Sequence, residues 1–347
     1  MDILIGIGHP AHVHFYRNTI EELRSRGYEV GVVTKKRDLA VELLDAYDIE
    51  YTVAGNSNIQ KDSLLRMALP FLHLEIDVLR EVRKNQPAVV TGIGNIPLSH
   101  ASTIFDCQSK IFVDTEHAHL ANNLTFPFAD QIFTPECYQD DLGPKQIRYP
   151  GYHELAYLHP NQFDPDPTIL NEAGLDEDER FVILRLVDWN AAHDIGDGGF
   201  DNVVDVVESL EQTGVRVFIT AEGDVPEAVE HCQLAIEPHR IHHLMYYADL
   251  FIGESATMAT ESAVLGTPGV FVSSSRRGYT DELEERYDMV FNFSGKERQS
   301  KGIQKAISIL NDYDQKLWDQ KREELLEDKI DTTQFIIKQI TTSRIPK

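Results

Sequence analysis

Residues 248–268 read ADLFIGESATMATESAVLGTP. The apolar run that ends at Gly253 predicts a buried strand, and the small polar turn after it predicts the start of a helix. The first N–H groups of a helix have no partner inside the helix, so this turn suits a diphosphate. The candidate contacts of the turn are Gly253, Glu254, Ser255, Ala256 and Thr257.

Glu261 follows the turn by roughly one and a half helical turns. At that distance its carboxylate would accept both hydroxyls of a ribose, while Gly266 and Pro268 end the helix and lead into the next strand. A purely structural interpretation is equally open. In it, Ser255 or Thr257 is only an N-cap, and Glu261 lies on a solvated helix face.

Short apolar runs alternate with amphipathic stretches on both sides of this motif, which is the pattern of βαβ units and mainly parallel sheets. The predicted strands cover residues 3–7, 29–34, 88–91, 110–114, 131–134, 181–186, 215–219, 250–252 and 269–272. Helices are predicted over residues 12–26, 202–212, 242–248 and 257–265, and residues 303–340 are expected to be helical. The fold class is therefore α/β with doubly wound sheets.

The chain of 347 residues is long enough for two cores. Residues 149–167 carry four prolines among Asn and Asp, a composition typical of a connection between domains. We expect a first Rossmann-like domain over residues 1–155, a second over residues 156–330, and a terminal helix over residues 331–347 that packs back on the first. Ligands bind at the carboxyl ends of strands in such sheets, so the two domains are expected to face each other across a ligand-binding cleft.

The formal net charge is −25, from 57 acidic and 32 basic residues, which excludes general binding to nucleic acid. Residues 1–150 carry −6 and residues 151–347 carry −19, so if either half touches an anionic membrane, it should be the first. The acidic excess indicates a salt-adapted surface and a halophilic source. Three widely spaced cysteines, no signal peptide and no apolar span predict a cytoplasmic protein without disulfides.

Residues 6–14 read GIGHPAHVH and connect the first strand to the first helix. Gly8 is a candidate contact of the ligand, and the imidazole of His12 is a candidate base for an acceptor hydroxyl. His12 would otherwise cap the helix. A metal site of His9, His12 and His14 is disfavoured, because no cysteine or carboxylate lies nearby.

Other candidate side chains follow predicted strands. Glu116 would steady the acceptor or act as its base, and otherwise is an exposed loop carboxylate. Arg185 and Arg277 would contact phosphates, and otherwise are salt-bridged or exposed. Arg240 lies before the strand at 250–252 and is a candidate contact near the nucleotide base. The apolar residues 66–72 would rest on a membrane surface, and otherwise belong to the core or to an oligomer contact.

The spacing of Glu261, Gly266 and Pro268 after a small polar turn resembles the nucleotide-sugar signature of GT-B glycosyltransferases, such as the peptidoglycan N-acetylglucosaminyltransferase, and of UDP-N-acetylglucosamine 2-epimerases. The order of segments resembles a domain-of-unknown-function family, number 354, of predicted glycosyltransferases, many of them archaeal. The resemblance implies the GT-B architecture and a ribose on Glu261. His12 and Glu116 match positions of a His and a Glu in the comparison families.

This resemblance implies a glycosyltransferase that moves a sugar from a nucleotide-diphosphate donor to an unknown acceptor hydroxyl, with the acceptor lipid-linked or a precursor of a cell-surface glycan. No cofactor or metal is expected, because no DxD-like pair lies beside a nucleotide-binding strand. A sugar-nucleotide epimerase or hydrolase is a second hypothesis. It is weakened at residues 91–96, TGIGNI, which lack the acid that such epimerases carry. A noncatalytic sugar-nucleotide-binding protein is the third.

Overall fold

The computed structural model describes residues 1–35, 38–55, 64–176, 178–187 and 198–342, and the side chains of these except residues 38 and 64–70. The chain divides into two compact units. The N-terminal unit comprises Met1–Tyr157 and Ile330–Lys347, and the C-terminal unit comprises Leu158–Lys329.

The N-terminal unit is built on a parallel sheet in the order β3-β2-β1-β4-β5-β6-β7. Its strands are β1 (Ile3–Ile7), β2 (Val30–Lys35), β3 (Thr52–Ala54), β4 (Val89–Ile93), β5 (Gln108–Phe112), β6 (Gln131–Pro135) and β7 (Gln146–Tyr149). Its first helices are α1 (Pro10–Ser25), α2 (Asp38–Ala46), α3 (Leu64–Asn85), α4 (Ile96–Ile104) and α5 (His119–Thr125). The strand order reverses between β1 and β4, which makes that edge the switch point where doubly wound sheets bind ligands.

Two glycines let the chain close tightly at this switch point. A Cβ on Gly6 would lie 2.2 Å from Nδ2 of Asn95, and one on Gly92 would lie 2.7 Å from Cβ of Asn95. Asn95 fills that space and caps α4, because its Oδ1 accepts a hydrogen bond from the N–H of Leu98 at 3.2 Å.

The C-terminal unit has a second parallel sheet, in the order β12-β11-β10-β8-β9. Its strands are β8 (Phe181–Leu186), β9 (Arg216–Ala221), β10 (Leu250–Gly253), β11 (Gly269–Val272) and β12 (Val290–Phe293). Its helices are α6 (Thr168–Glu172), α7 (Val203–Glu211), α8 (Ile241–Tyr246), α9 (Ala256–Leu265), α10 (Gly278–Glu285), α11 (Arg298–Asn311) and α12 (Gln315–Asp328). Here the switch point lies between β8 and β10.

The last helix, α13 (Thr332–Thr341), packs against α1 of the N-terminal unit. Its buried face carries Ile336, Ile337 and Ile340, and the ring of Phe335 stacks on Tyr149 with centroids 4.7 Å apart.

The predicted α/β class with parallel, doubly wound sheets is confirmed. Strands β3, β7 and β12 were not anticipated, and the predicted helical end of the chain is three separate helices. Within the described ranges, no helix is long and apolar enough to cross a membrane.

Candidate functional site

The turn after β10 begins α9 with an ordinary N-cap. Oγ of Ser255 accepts a hydrogen bond from the N–H of Met258 at 3.3 Å. The N–H groups of Ala256 and Thr257 belong to the first turn and have no acceptor within the helix. Residues 255–258 are half-buried, whereas the rest of α9 is buried. The helix therefore presents donors at a partly open end.

Glu261 is buried inside the C-terminal unit, so the interpretation that placed it on a solvated face is wrong. Its Oε1 lies 2.9 Å from Nε2 of His242, which is also buried and belongs to α8. The carboxylate is thus fixed on the side of α9 that faces α8. Local spacing identified the carboxylate, but its histidine partner is brought to it only by the packing of two helices.

Glu254 accepts hydrogen bonds from the backbone on both sides of residues 188–197. Its Oε2 accepts from the N–H of Val187 at 2.7 Å, and its Oε1 accepts from the N–H of Phe200 at 2.6 Å. Gly199 is required beside it, since a Cβ there would lie 1.7 Å from Oε1 of Glu254. Both carboxylate oxygens serve the fold. Asp188, Trp189, Asn190 and His193, which follow the predicted strand at 181–186, lie outside the described residues.

The three candidate arginines differ in their partners. Arg185 forms an ion pair with Glu222, and Arg240 pairs with Asp166 and Glu172, each at 2.9 Å. Arg277 donates to Oγ of Ser275 at 2.9 Å and to the carbonyl of its neighbour, and in the described part of the chain it has no carboxylate partner.

Arg185 and Ser255 lie at or just beyond the carboxyl ends of β8 and β10, and Arg277 precedes α10, five residues after the end of β11. These strands are adjacent, and Arg185 is paired with Gly253 in the sheet register. A Cβ on Gly253 would lie 2.7 Å from Cβ of Arg185, so a glycine is needed there. The start of α9 and Arg185 thus lie side by side at the switch point of the second sheet, and Arg277 follows the neighbouring strand β11.

In the N-terminal unit, the N–H of Gly8 donates to Nδ1 of His12 at 3.2 Å. Because Nδ1 accepts this bond, the proton of the neutral imidazole is assigned to Nε2. Burial, helped by the nearby His9 and His153, lowers the pKa of His12 to about 3, so the ring is neutral near pH 7. The N-cap of α1 is His9 rather than His12, since Nδ1 of His9 accepts from the N–H of Ala11 at 3.2 Å.

A cavity of about 160 Å³ opens at the switch point of the first sheet. Polar groups come from Gly8, His12, Thr34, Lys35 and Asn95, and apolar walls from Ile7, Val33, Phe71, Leu74, Val78, Ile93, Ile96 and Pro97. It is an amphipathic pocket with a neutral imidazole and an ammonium group in its lining.

Asp114 and His153 form a pair that the sequence did not reveal. Oδ2 of Asp114 lies 3.0 Å from Nδ1 of His153, and both side chains are largely buried. Burial would raise the pKa of Asp114, but its interaction with His153 and the hydroxyl of Thr115 together lower it to about 2. Nε2 of His153 is buried and has no hydrogen-bond partner among the residues described. An Asp–His pair with an uncommitted ring nitrogen is suited to proton transfer.

Glu116 lies after β5, near this pair in sequence, but its carboxylate is already engaged. It is buried rather than exposed, and its Oε1 accepts from the N–H of Gln139 at 3.0 Å. Its position thus favours a role in holding the loop around Gln139 over a role on the acceptor.

Two Rossmann-type units in one chain, each with a candidate site at its switch point, give the GT-B fold of sugar-nucleotide-related enzymes. The chain belongs to the family described as protein of unknown function (DUF354), whose model matches residues 1–335. An uncharacterized protein of Methanocaldococcus jannaschii is 23% identical over 323 residues, covering 85% of this chain and 92% of the relative.

Solved structures with the same fold include two kinds of enzyme. UDP-GlcNAc 2-epimerase from Neisseria meningitidis bound to UDP-GlcNAc matches with a TM-score of 0.69 at 12% identity, over 99% of this chain and 100% of that one. The spinosyn rhamnosyltransferase SpnG, complexed with spinosyn aglycone, matches with a TM-score of 0.64 at 13% identity, over 97% of this chain and 99% of that one. At these identities the likeness establishes the fold.

Proposed function

We propose that the protein is a glycosyltransferase that moves a sugar from a nucleotide-diphosphate donor to an acceptor hydroxyl without a metal ion. The observation that carries the proposal is the half-open end of α9 at the second switch point, with the buried carboxylate of Glu261 on the same helix. The donor belongs to the C-terminal unit, and the acceptor to the N-terminal unit.

On the donor side, the N–H groups of Ala256 and Thr257 and the guanidinium of Arg277 bind the diphosphate, and Glu261 binds the ribose. As the bond between the anomeric carbon and the diphosphate oxygen breaks, negative charge grows on that oxygen. Fixed donors aimed at developing charge typically lower a barrier by several kcal/mol. Arg277 is favoured over Arg185 and Arg240, because those two already pair with carboxylates.

On the acceptor side, His12 and His153 take different parts. Nε2–H of His12 donates to an oxygen of the acceptor, since Nδ1 already accepts from Gly8. His153 takes the hydroxyl proton on Nε2 through one water, because this nitrogen is buried, while Asp114 holds the resulting imidazolium. The acceptor oxygen forms the new bond to the anomeric carbon, and the nucleoside diphosphate leaves.

The acceptor that best fits the N-terminal unit has an apolar part. Among the described residues, all the exposed large hydrophobic side chains except Leu317 belong to this unit. Phe71 and Leu72 of α3 are 38% and 53% exposed, and Phe71 also lines the cavity beside His12. Helices α3, α4 and α5 are joined by His100, which bonds Glu75 at 2.7 Å and the carbonyl of Leu124 at 2.9 Å.

We therefore place a lipid-linked acceptor in this cavity, with the exposed apolar side chains of the unit resting on the cytoplasmic membrane surface. The smaller negative charge of residues 1–150 supports this placement, because repulsion by anionic lipid is weaker there. A cytoplasmic location also agrees with three free cysteines.

The test is incubation of the purified protein at high salt with UDP-, GDP- and dTDP-sugars, with and without polyprenyl phosphate as a probe acceptor. We expect release of nucleoside diphosphate and transfer of the sugar to lipid only when both substrates are present. Epimerisation or hydrolysis without acceptor would replace the proposal by a sugar-nucleotide epimerase or hydrolase. Binding of a donor without turnover, with the probe and with other hydroxyl acceptors, would indicate a noncatalytic sugar-nucleotide-binding protein.

A further inference from the structure

Three side chains with metal-binding atoms meet in the C-terminal unit, outside the proposed donor site. They are Glu211, the last residue of α7, and His231 and Cys232, which end the 3-10 helix Glu227–Cys232. One ligand atom from each lies within 4.8 Å of the other two. Among the residues that the structure describes, this is the only such group of three.

The fold brings these residues together at one edge of the second sheet. Both α7 and the 3-10 helix contact β9, which is an edge strand. The chain just after Cys232 is pinned to β9, because Gln233 forms a bridge with Ile219 and the N–H of Leu234 donates to the carbonyl of Ile219 at 2.9 Å. The backbone that carries His231 and Cys232 is therefore anchored beside the end of α7.

The chemistry of the three ligands is that of a zinc site. Sulfur, imidazole nitrogen and carboxylate oxygen are the usual ligands of Zn²⁺. The thiol of Cys232 now donates to Oε1 of Glu211, with 3.8 Å between sulfur and oxygen. A divalent cation would take the place of the thiol proton between the sulfur and the carboxylate.

The surroundings of the three side chains allow a cation to enter from solvent and to keep one coordination position that no protein atom fills. Cys232 is buried, whereas Glu211 and His231 are exposed, so a water molecule can complete a tetrahedral site. Residues 151–347 carry a formal charge of −19, which raises the local concentration of cations.

We propose that Glu211, His231 and Cys232 bind Zn²⁺ or a divalent ion of similar ligand preference, and that the ion ties the 3-10 helix to α7. Binding releases the thiol proton of Cys232 to solvent and leaves the thiolate, the neutral imidazole and the carboxylate on the metal. The ion stabilises the C-terminal unit and takes no part in sugar transfer.

The experiment titrates metal-free, reduced full-length protein with Co²⁺ and follows the thiolate-to-cobalt charge-transfer absorption, then displaces Co²⁺ with Zn²⁺. We expect one equivalent of Co²⁺ to produce the band and Zn²⁺ to abolish it. Cys232→Ser should remove the band, and the Cys107→Ser/Cys137→Ser double variant should keep it. Glu211→Gln and His231→Gln should each weaken Zn²⁺ binding about tenfold or more.

Zn²⁺ should also raise the melting temperature of the wild type but not that of Cys232→Ser, since an ion that binds only the folded state stabilises it. The melting temperatures of the metal-free variants show that the lost band is not due to unfolding. Absence of a band at one equivalent in folded protein, or a band that persists in Cys232→Ser, would overturn the proposal. Binding of nucleotide-sugar is measured in the same samples, so that failure of this site and failure of the donor site are separate results.

Discussion

Oε1 of Glu261 lies 2.9 Å from Nε2 of His242, and both side chains are buried. Burying a carboxylate costs free energy unless the group has a hydrogen-bonding partner. His242 is such a partner and belongs to the neighbouring helix α8. The same contact fixes the carboxylate rotamer, so in the proposed function the acceptor for the ribose hydroxyls is preorganised before a donor binds. In the proposed function, Glu261 is therefore both a structural and a binding residue, and its substitutions must separate the two roles.

Glu261→Ala is expected to weaken binding of a nucleotide-sugar about 10- to 100-fold, because hydrogen bonds to a charged acceptor contribute about 1.5–3 kcal/mol. Glu261→Gln keeps an oxygen that can accept from His242 and should keep the melting temperature while still losing part of the affinity. Isothermal titration with UDP, GDP and dTDP measures the effect. If a folded Glu261→Gln or Glu261→Ala variant bound the nucleotide as tightly as the wild type, the assignment of the ribose to this carboxylate would be wrong.

Arg277→Gln should weaken binding of a nucleoside diphosphate about tenfold and slow transfer further, because its guanidinium is assigned to the growing charge on the leaving group. The matched control is Arg276→Gln. Arg276 is the adjacent residue but pairs with Asp281 and Glu284, each at 2.7 Å, so its loss should leave donor binding unchanged. Equal losses in the two variants would mean that only general electrostatics acts here, which a titration with added salt would also reveal.

The strands and helices around these residues could be predicted from sequence because their signals are local. The run before Gly253, the cap at Ser255 and the glycine at position 266 are each determined by neighbouring residues. Strand β7 was not predicted, because its sequence, QIRY, lacks a continuous apolar run. Only Tyr149 of this strand is buried.

The partners of the candidate side chains could not be predicted, since they come from distant parts of the chain. Arg185 meets Glu222, Glu261 meets His242, and Asp114 meets His153 only after the sheets and helices have packed. Residue type and spacing therefore identified groups that can bind a phosphate or a ribose, but did not determine which of them the fold already uses.

Glu254 is a candidate ligand contact whose carboxylate the fold already uses, and stability measurements can test this structural role. Both its oxygens accept backbone N–H groups, so Glu254→Gln would place an amide N–H₂ against one of them. We expect a loss of about 2–4 kcal/mol in the free energy of unfolding, because a buried donor is left unsatisfied. Glu222→Gln, which removes an exposed partner of Arg185, should cost less than about 1 kcal/mol. Urea denaturation compares the stability of the two variants. A Glu254→Gln variant as stable as the wild type would show that the fold does not need this carboxylate, and Glu254 would again be a candidate contact of the nucleotide-sugar.

His12→Gln and His153→Gln should differ in turnover. Gln at position 12 still offers an N–H donor, so we expect a loss of about tenfold in kcat, whereas His12→Ala should lose about a hundredfold or more and keep donor affinity. Gln at position 153 cannot take a proton near pH 7, so kcat should fall by about 10²–10⁴ with donor affinity unchanged. Turnover that survives in His153→Gln but disappears in both His12 variants would assign the base to His12 instead.

The lowered pKa of His12 predicts how stability depends on pH. Its pKa is about 3 in the folded protein and 6.5 in the unfolded chain. Between these values the unfolded state binds the proton and the folded state does not. The contribution of His12 to the free energy of unfolding is therefore fully present above pH 6.5 and is lost as the pH drops towards 3. His12→Gln removes this titration. At pH 5 the free energy of unfolding of the wild type should therefore have fallen relative to pH 7 by about 2 kcal/mol more than that of the variant. Urea denaturation at the two pH values, in the same high salt, measures the difference. A wild type and variant that lose the same stability would show that His12 titrates near its ordinary pKa, and its assignment as a neutral donor in the cavity would then be wrong.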